Sequence, residues 1–339
     1  MALSALAAPM ADPPRLLVTS PMTDTLQVML ERHLPGIPVL VPEKAGEGPW
    51  PTLQAALVGI PQREMPALSA EAVPGIRFVQ RLFTGMDRFP FDRFPAGCLF
   101  AGNVGAYAVP VAEHGLALVL ALAKGLRTDQ ETILTRERAR PLRRLILEGR
   151  EALLVGYGEI AQALAHQLKG VGMRVVGLNR TGTPSPGADE MVSPAGLLKA
   201  IARADVVVDL LPLTRKTRGF FGVAELAALK PDAIFVNLGR GATVSAPAMA
   251  DLLKRHPESR VGLEVWWDER PGHMGEVEPG RGLEGLPYAL GTPHVAGLAE
   301  GAADRADERA VENLARFFRG ERPLHLVDRS EYDEPMGAG

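Results

Sequence analysis

The sequence predicts an α/β protein with two doubly wound parallel sheets, one in each of two domains. Short apolar runs alternate with helical stretches along most of the 339 residues, the pattern of strands buried on both faces and joined by crossover helices. The alternation stops at a long apolar helix near Val109 and an arginine-dense stretch, then restarts at Glu151. The second series opens with a glycine turn, Gly156-Tyr-Gly158, between a strand and a helix.

The first series begins with Arg15-Leu-Leu-Val-Thr-Ser20, a short strand ended by turn residues. A helix over 23–33 follows, then strands at 37–41, 54–58, 76–80 and 98–100. Residues 109–127 read as one long helix. Leu116, Leu120 and Ala123 recur at helical spacing, while Val119, Ala121 and Leu122 cover other faces. Such a helix is buried on more than one side, either in the centre of a domain or also at a subunit interface. Six arginines between Arg136 and Arg150 read as a solvated face. The second series places strands at 151–155, 173–178, 204–209, 233–237 and 260–265, and a last helix over 302–319 ends at Gly320. Residues 331–339 are expected to form a flexible tail, and residues 1–13 a disordered leader.

Composition narrows the function classes. A chain of this length holds two ordinary domains, and 46% apolar with 23% charged residues is that of a globular protein. A formal net charge of −3 gives no bulk attraction for nucleic acid or an anionic membrane, so neither is expected as a partner. The single cysteine, Cys98, excludes an intramolecular disulfide and a cysteine-rich zinc site; no metal is expected, and a cytoplasmic location is. Residues 1–13 contain no lysine or arginine, unlike a signal peptide, and the longest apolar run, 115–123, is too short to span a membrane.

The glycine turn is the first feature with chemistry. Gly156-Tyr-Gly158-Glu-Ile-Ala161 follows a strand and opens a helix, the context a dinucleotide fingerprint needs. Gly156 permits the tight turn, Gly158 lets backbone approach a pyrophosphate, and Ala161 allows close helix–strand packing. The phosphates would rest on the helix N-terminus. The next strand ends at Leu178-Asn-Arg-Thr181, where an NAD site usually presents an acid to the adenosine 2′-hydroxyl. No acid is present there. Arg180 offers a fork suited to a 2′-phosphate and Thr181 another donor, so NADP(H) is the expected cofactor, with NAD(H) possible.

Seven segments, in order, carry a family resemblance: Thr84-Gly-Met-Asp87, Val111-Ala-Glu-His114, Gly156-Tyr-Gly158, Leu211-Pro-Leu-Thr214, Asn237-Leu-Gly-Arg-Gly241, Glu269 and Pro293-His-Val-Ala-Gly297. With them the chain resembles the D-isomer-specific 2-hydroxyacid dehydrogenases over residues of about 75 to 320, and more loosely before. The resemblance implies a flavodoxin-like substrate domain from residues 14–105 and 299–330, and a Rossmann NAD(P)-binding domain from 106–298. It also implies the roles of site residues. Arg240 would hold the substrate carboxylate and polarise the keto oxygen. His294 would donate a proton to that oxygen as hydride arrives, and Glu269 would orient the ring and stabilise its charge. Because reduction consumes a proton, lower pH would favour it and higher pH would favour alcohol oxidation. Thr84 and Gly85 would bind the substrate carboxylate through backbone N–H groups. Cofactor contacts would come from Gly156, Tyr157, Gly158, Glu159, Ile160, Asn179, Arg180, Thr181, Leu211, Pro212, Thr217, Leu238, Gly239 and Glu264. His114 is expected to be structural.

Three departures from the family pattern bear on the pocket. Glu264 stands where Asp is frequent, Arg270 separates Glu269 from Pro271, and Trp266-Trp267 is bulkier than the usual pair. The leading expectation is an NADP(H)-dependent reductase of small 2-keto acids such as glyoxylate or hydroxypyruvate, yielding the D-2-hydroxy acid and assembled as a homodimer. Two alternatives stand: an NAD-linked hydroxyacid dehydrogenase such as one acting on 3-phosphoglycerate, and a nucleotide-sensing interaction protein like the corepressors of this fold.

Overall fold

A computed structural model describes residues 15–42, 48–136, 143–267, 269, 286 and 288–332. The leader 1–13 and the segment 333–339 lie outside the described residues, as do Arg270 and Pro271. The chain divides into two compact units. One comprises the residues up to Ala106 together with Ala303–Ser330; the other comprises Tyr107–Ala302 with Glu331 and Tyr332.

In the first unit, β1 (Leu16–Val18), β2 (Val39–Leu40), β3 (Ala55–Val58), β4 (Phe78–Arg81) and β5 (Leu99–Ala101) form a parallel sheet of order β2-β1-β3-β4-β5. Helix α1 (Asp24–His33) begins where the Thr23 hydroxyl accepts the Leu26 amide at 3.1 Å, the capping expected of threonine. A short α2 (Pro61–Glu64) follows β3. The buried core joins Leu16, Val18, Leu57 and Phe78 of the sheet to Leu26 and Leu30 of α1, and to Ala310, Val311 and Leu314 of the last helix.

The second unit begins with α3 (Ala108–Lys124) and α4 (Leu126–Thr135). The single helix expected over 109–127 is in fact broken. Gly125 adopts φ +70 and closes α3 by donating its amide to Ala121 O, and α4 departs at 62°. Glycine reaches this left-handed conformation without a Cβ penalty, so the chain turns there although the apolar pattern runs on. No helix among the described residues is long and apolar enough to cross a membrane. Of the arginine-dense stretch, residues 137–142 lie outside the described residues; Arg143, Arg144 and Arg150 pair with Asp232, Asp129 and Asp205 as a solvated face should.

Then come β6 (Glu151–Val155), α5 (Glu159–Gly170), β7 (Arg174–Leu178), β8 (Glu190–Val192), α6 (Leu197–Arg203), β9 (Val206–Asp209), α7 (Val223–Ala227), β10 (Ile234–Asn237), α8 (Ala246–Arg255), β11 (Arg260–Leu263) and β12 (Ala289–Gly291), before α9 (Ala302–Phe318). The sheet is parallel, with order β12-β11-β10-β9-β6-β7-β8. Its direction of winding reverses between β6 and β9, and the crevice beyond the carboxyl ends of such strands is where ligands bind in this architecture. The outermost strands, β8 and β12, were not expected. Each has three residues and is less buried than the central strands, so neither carries the continuous apolar run that marks an inner strand. The expected tail is also corrected at its start: Tyr332 is buried, and the Arg215 amide donates to Glu331 O at 2.9 Å.

Candidate active site

The crevice of the second unit is built from its glycines. Gly156, at the end of β6, has φ +94, and a Cβ there would stand 2.9 Å from the Leu210 carbonyl carbon, so only glycine lets the loops after β6 and β9 touch. A Cβ on Gly158 would meet only open space. No side chain caps α5, whose first turn contains Glu159 and Ile160. The unfilled approach at Gly158 and the uncapped helix start fit a pyrophosphate, which needs close backbone and N–H donors. Gly239 closes the neighbouring wall, since a Cβ there would lie 2.5 Å from Leu211 O.

Several expected contact residues turn out to shape this crevice through the backbone or the core. The Tyr157 side chain is buried, with its hydroxyl donating to Pro186 O at 3.0 Å and its amide to Leu178 O. Burial, and next the charge of Asp189, push its hydroxyl up to about 12. Its hydroxyl and amide therefore both donate within the protein. Leu238 is buried in the core against Gly115 of α3. The Thr217 hydroxyl folds back on its own loop, donating to Pro212 O at 2.5 Å and accepting the Thr214 amide at 2.8 Å. Leu211 is buried, while Pro212 is exposed after β9.

After β7, Asn179 Oδ1 accepts the amides of Thr181 and Gly182, at 3.1 and 2.6 Å, and its Nδ2 donates to Thr183 O. Asn179 therefore orders the loop that presents Arg180 and Thr181. Arg180 is 87% exposed, and its Nη1 lies 3.2 Å from Glu331 Oε1.

The polar set stands at three adjacent strand ends. Arg240 follows β10, Glu264 and Glu269 follow β11, and His294 follows β12, so the parallel register of β10, β11 and β12 brings the segments side by side. His294 Nδ1 is 2.8 Å from Glu269 Oε2. Glu269 Oε1 accepts the Trp266 amide at 2.7 Å, and Trp266 Nε1 donates to Thr292 O at 2.9 Å. The carboxylate is thus held from its far side and fixes the imidazole with Nδ1 as donor. His294 itself has φ +56, a conformation costly for a residue with a Cβ, and its amide donates to Glu264 O at 3.0 Å. Strain held in place by surrounding hydrogen bonds is characteristic of functional positions. Arg240 Nη1 donates to Gly239 O at 2.7 Å.

Glu264 is buried, and both its oxygens have partners within the protein. Oε1 accepts the Ala296 amide at 2.5 Å; Oε2 accepts the Thr292 hydroxyl and lies 3.1 Å from His114 Nε2. Burial raises its carboxyl, but the bonds from His114, Thr292 and Ala296 outweigh this and hold it below the usual glutamate range. His114, read from sequence as structural, is therefore a polar partner of Glu264, with Nε2 3.1 Å from its Oε2. Its motif on α3 gave no hint of Glu264, which lies 150 positions along the chain.

Asp209 was missed altogether. It is fully buried at the end of β9, accepts the Leu211 amide at 3.0 Å, and contacts the Thr243 hydroxyl. That hydroxyl also lies 2.5 Å from Arg240 O. A hydroxyl has one proton and cannot donate to both acceptors. A proton on Asp209 resolves the conflict: the acid donates to Thr243, which donates to Arg240 O. Burial pushes the Asp209 carboxyl up to about 7, in agreement. The native state then holds a proton that the unfolded chain loses above its ordinary value of 3.8, so this group makes stability fall as pH rises from about 4 to about 7. Asp209→Asn reproduces the neutral hydrogen-bond pattern and removes that slope. Thermal melts should show the variant gaining on the parent as pH rises from 5 to 8, by at most on the order of 3 kcal/mol. Parallel curves would show that Asp209 is not a neutral acid.

In the first unit, Thr84 and Gly85 lie in the loop after β4. The Thr84 hydroxyl donates to Asn103 O at 3.0 Å, and Arg81 Nη1 donates to Gly85 O. The loop is pinned through these groups.

A phosphate turn at the winding reversal, beside polar side chains on three adjacent strand ends, is the architecture of a nicotinamide-dependent oxidoreductase. Residues 116–296 match the family model described as D-isomer specific 2-hydroxyacid dehydrogenase, NAD binding domain. The chain belongs to this family, whose members are NAD(P)-dependent enzymes acting on CH–OH groups. It is 34% identical over 273 residues to an uncharacterised Streptomyces coelicolor protein, covering 80% of this chain and 93% of that one. It is 29% identical over 271 residues to the glyoxylate reductase of Thermococcus litoralis, covering 76% and 79%. A D-isomer specific 2-hydroxyacid dehydrogenase from Xanthobacter autotrophicus, solved in complex with NADPH and MES, is similar at 25% identity and a TM-score of 0.75, covering 94% of this chain and 98% of that one.

Proposed function

We propose that the protein reduces a small 2-keto acid of the glyoxylate or hydroxypyruvate type to the D-2-hydroxy acid and prefers NADPH to NADH. The observation that carries the reaction is the His294–Glu269 pair, 2.8 Å apart at Nδ1, which leaves Nε2 as the proton donor. Arg240, one strand away, has the planar fork that a carboxylate and its neighbouring carbonyl oxygen require. Gly156, Gly158 and the first turn of α5 would hold the pyrophosphate, Arg180 and Thr181 the 2′-phosphate, and Pro212 would line the nicotinamide side. When bound, the nicotinamide supplies the hydride taken up by the keto carbon. His294 gives its proton to the oxygen, which becomes a neutral hydroxyl, while Arg240 keeps the carboxylate anchored.

The glyoxylate reductase relative and the NADPH-bound Xanthobacter structure support this reading, as does the absence of an acid among Asn179, Arg180 and Thr181. The same reading includes a homodimer, supported by the exposure of Leu126, Ile133 and Leu134 on α4. Steady-state rates with glyoxylate, hydroxypyruvate, pyruvate and phenylpyruvate, each with NADPH and NADH, test the proposal. Equal or better use of NADH would remove the cofactor preference, and no turnover of any of the four acids would remove the reaction. Arg180→Ala should raise the Kd for NADPH by about tenfold or more, the loss of a charge-assisted hydrogen bond, and leave that for NADH within about twofold.

A further inference from the structure

We propose that Glu331 is a cofactor-discriminating residue, a carboxylate brought from the C-terminal segment to the place at the end of β7 where the chain itself has no acid. It limits the NADPH preference proposed above, because it favours the adenosine 2′-hydroxyl of NADH and opposes the 2′-phosphate of NADPH. The inference rests on the reading that Arg180 marks the adenosine ribose end of the site. In a doubly wound nucleotide site, the carboxylate that accepts the ribose hydroxyl stands at the end of the second strand, and here that strand ends in Asn179-Arg180-Thr181.

Glu331 is not loosely placed. Its carbonyl accepts the Arg215 amide at 2.9 Å, so its backbone is fastened to the loop after β9. It closes a short 3-10 turn over Arg329–Glu331, preceded by the Ser330 amide bonding to Asp328 Oδ1 at 2.9 Å, and Tyr332 beyond it is buried. The carboxylate then reaches the loop after β7, with Oε1 at 3.2 Å from Arg180 Nη1. Glu331 is 30% exposed at its side chain against 87% for Arg180. The acid is therefore the more enclosed partner of the pair and the guanidinium the more exposed one. The segment spans the loops after β7 and β9, on either side of β6 and its glycine turn.

Charge and hydrogen-bond chemistry set the direction. An ionised carboxylate only accepts, and so does a phosphate, so the two cannot bond and repel at close range. A ribose hydroxyl donates, and a carboxylate beside it gains a partner. Arg180 can serve either state, paired to Glu331 in one and to the 2′-phosphate in the other, but the second requires it to leave Glu331. The Thr181 hydroxyl, 3.0 Å from that of Thr183, adds no negative charge.

Binding of NADPH, NADH and adenosine 2′,5′-bisphosphate to the full chain, measured by titration calorimetry without substrate, tests this. Glu331→Gln should tighten NADPH and the bisphosphate by about three- to tenfold, the scale of an exposed ion pair removed together with its repulsion, and should weaken NADH. A merely structural role for the segment would move both cofactors in the same direction, which would overturn the proposal, as would unchanged affinities. Arg180→Ala separates the two readings. If that variant leaves NADPH binding unchanged, the assignment of Arg180 to the 2′-phosphate fails, and the role of Glu331 fails with it. If Arg180→Ala weakens NADPH while Glu331→Gln changes neither cofactor, only the role of Glu331 is lost.

Discussion

Replacing His294 should lower kcat for keto-acid reduction by about 10²- to 10⁴-fold, the usual contribution of a positioned general acid, while cofactor binding stays within about twofold. The choice of substitute matters. His294 has φ +56, where alanine is strained but asparagine is tolerated, so His294→Asn isolates the chemistry from the backbone better than His294→Ala. Glu269 is held by the Trp266 amide as well as by His294, and the loss of the ring should leave it in place. Single-turnover rates at several pH values, with the NADPH Kd measured in parallel, check the prediction. Near-parental turnover would remove the histidine from the reaction, and a Kd raised as much as kcat falls would make it a binding residue.

The second large effect is expected at Arg240. Arg240→Lys retains the charge but loses the fork, and with it simultaneous contact to a carboxylate and the adjacent carbonyl oxygen. We expect kcat/KM to fall by about 10²-fold or more, on the scale of a lost transition-state donor, with KM and kcat both affected because one side chain serves binding and polarisation. Its backbone should not move: Arg240 O is held by Asn237 Nδ2 at 3.0 Å and by Thr243. A change in KM alone would limit Arg240 to anchoring the carboxylate. Asp209→Asn offers a useful contrast, since it removes a titratable proton from the network behind Arg240 without touching the guanidinium.

The strands and the nucleotide turn were legible because their signals are local. Buried parallel strands need apolar runs, and a backbone turn against Leu210 needs a glycine at Gly156. The break at Gly125 was less legible, since the apolar pattern of α3 continues into Leu126 and a single glycine gives no measure of φ. Among the described residues, the edge strands β8 and β12 each pair on one side only and are less buried than the central strands, so neither carries a continuous apolar run.

Residue type and order, read along the chain, were enough for the α/β architecture, the family and the candidate roles of Arg240, Glu269 and His294, because each depends on a short motif with its own chemical signature. Which carboxylate meets which partner depended on the folded chain. Glu264 with His114, Asp209 with Thr243, and Glu331 with Arg180 join positions separated by 150, 34 and 151 residues. No local pattern encodes such pairings. They arise because parallel strands bring their carboxyl ends into one row and the chain returns across that row after α9, so the charge environment of each site residue is set by tertiary packing.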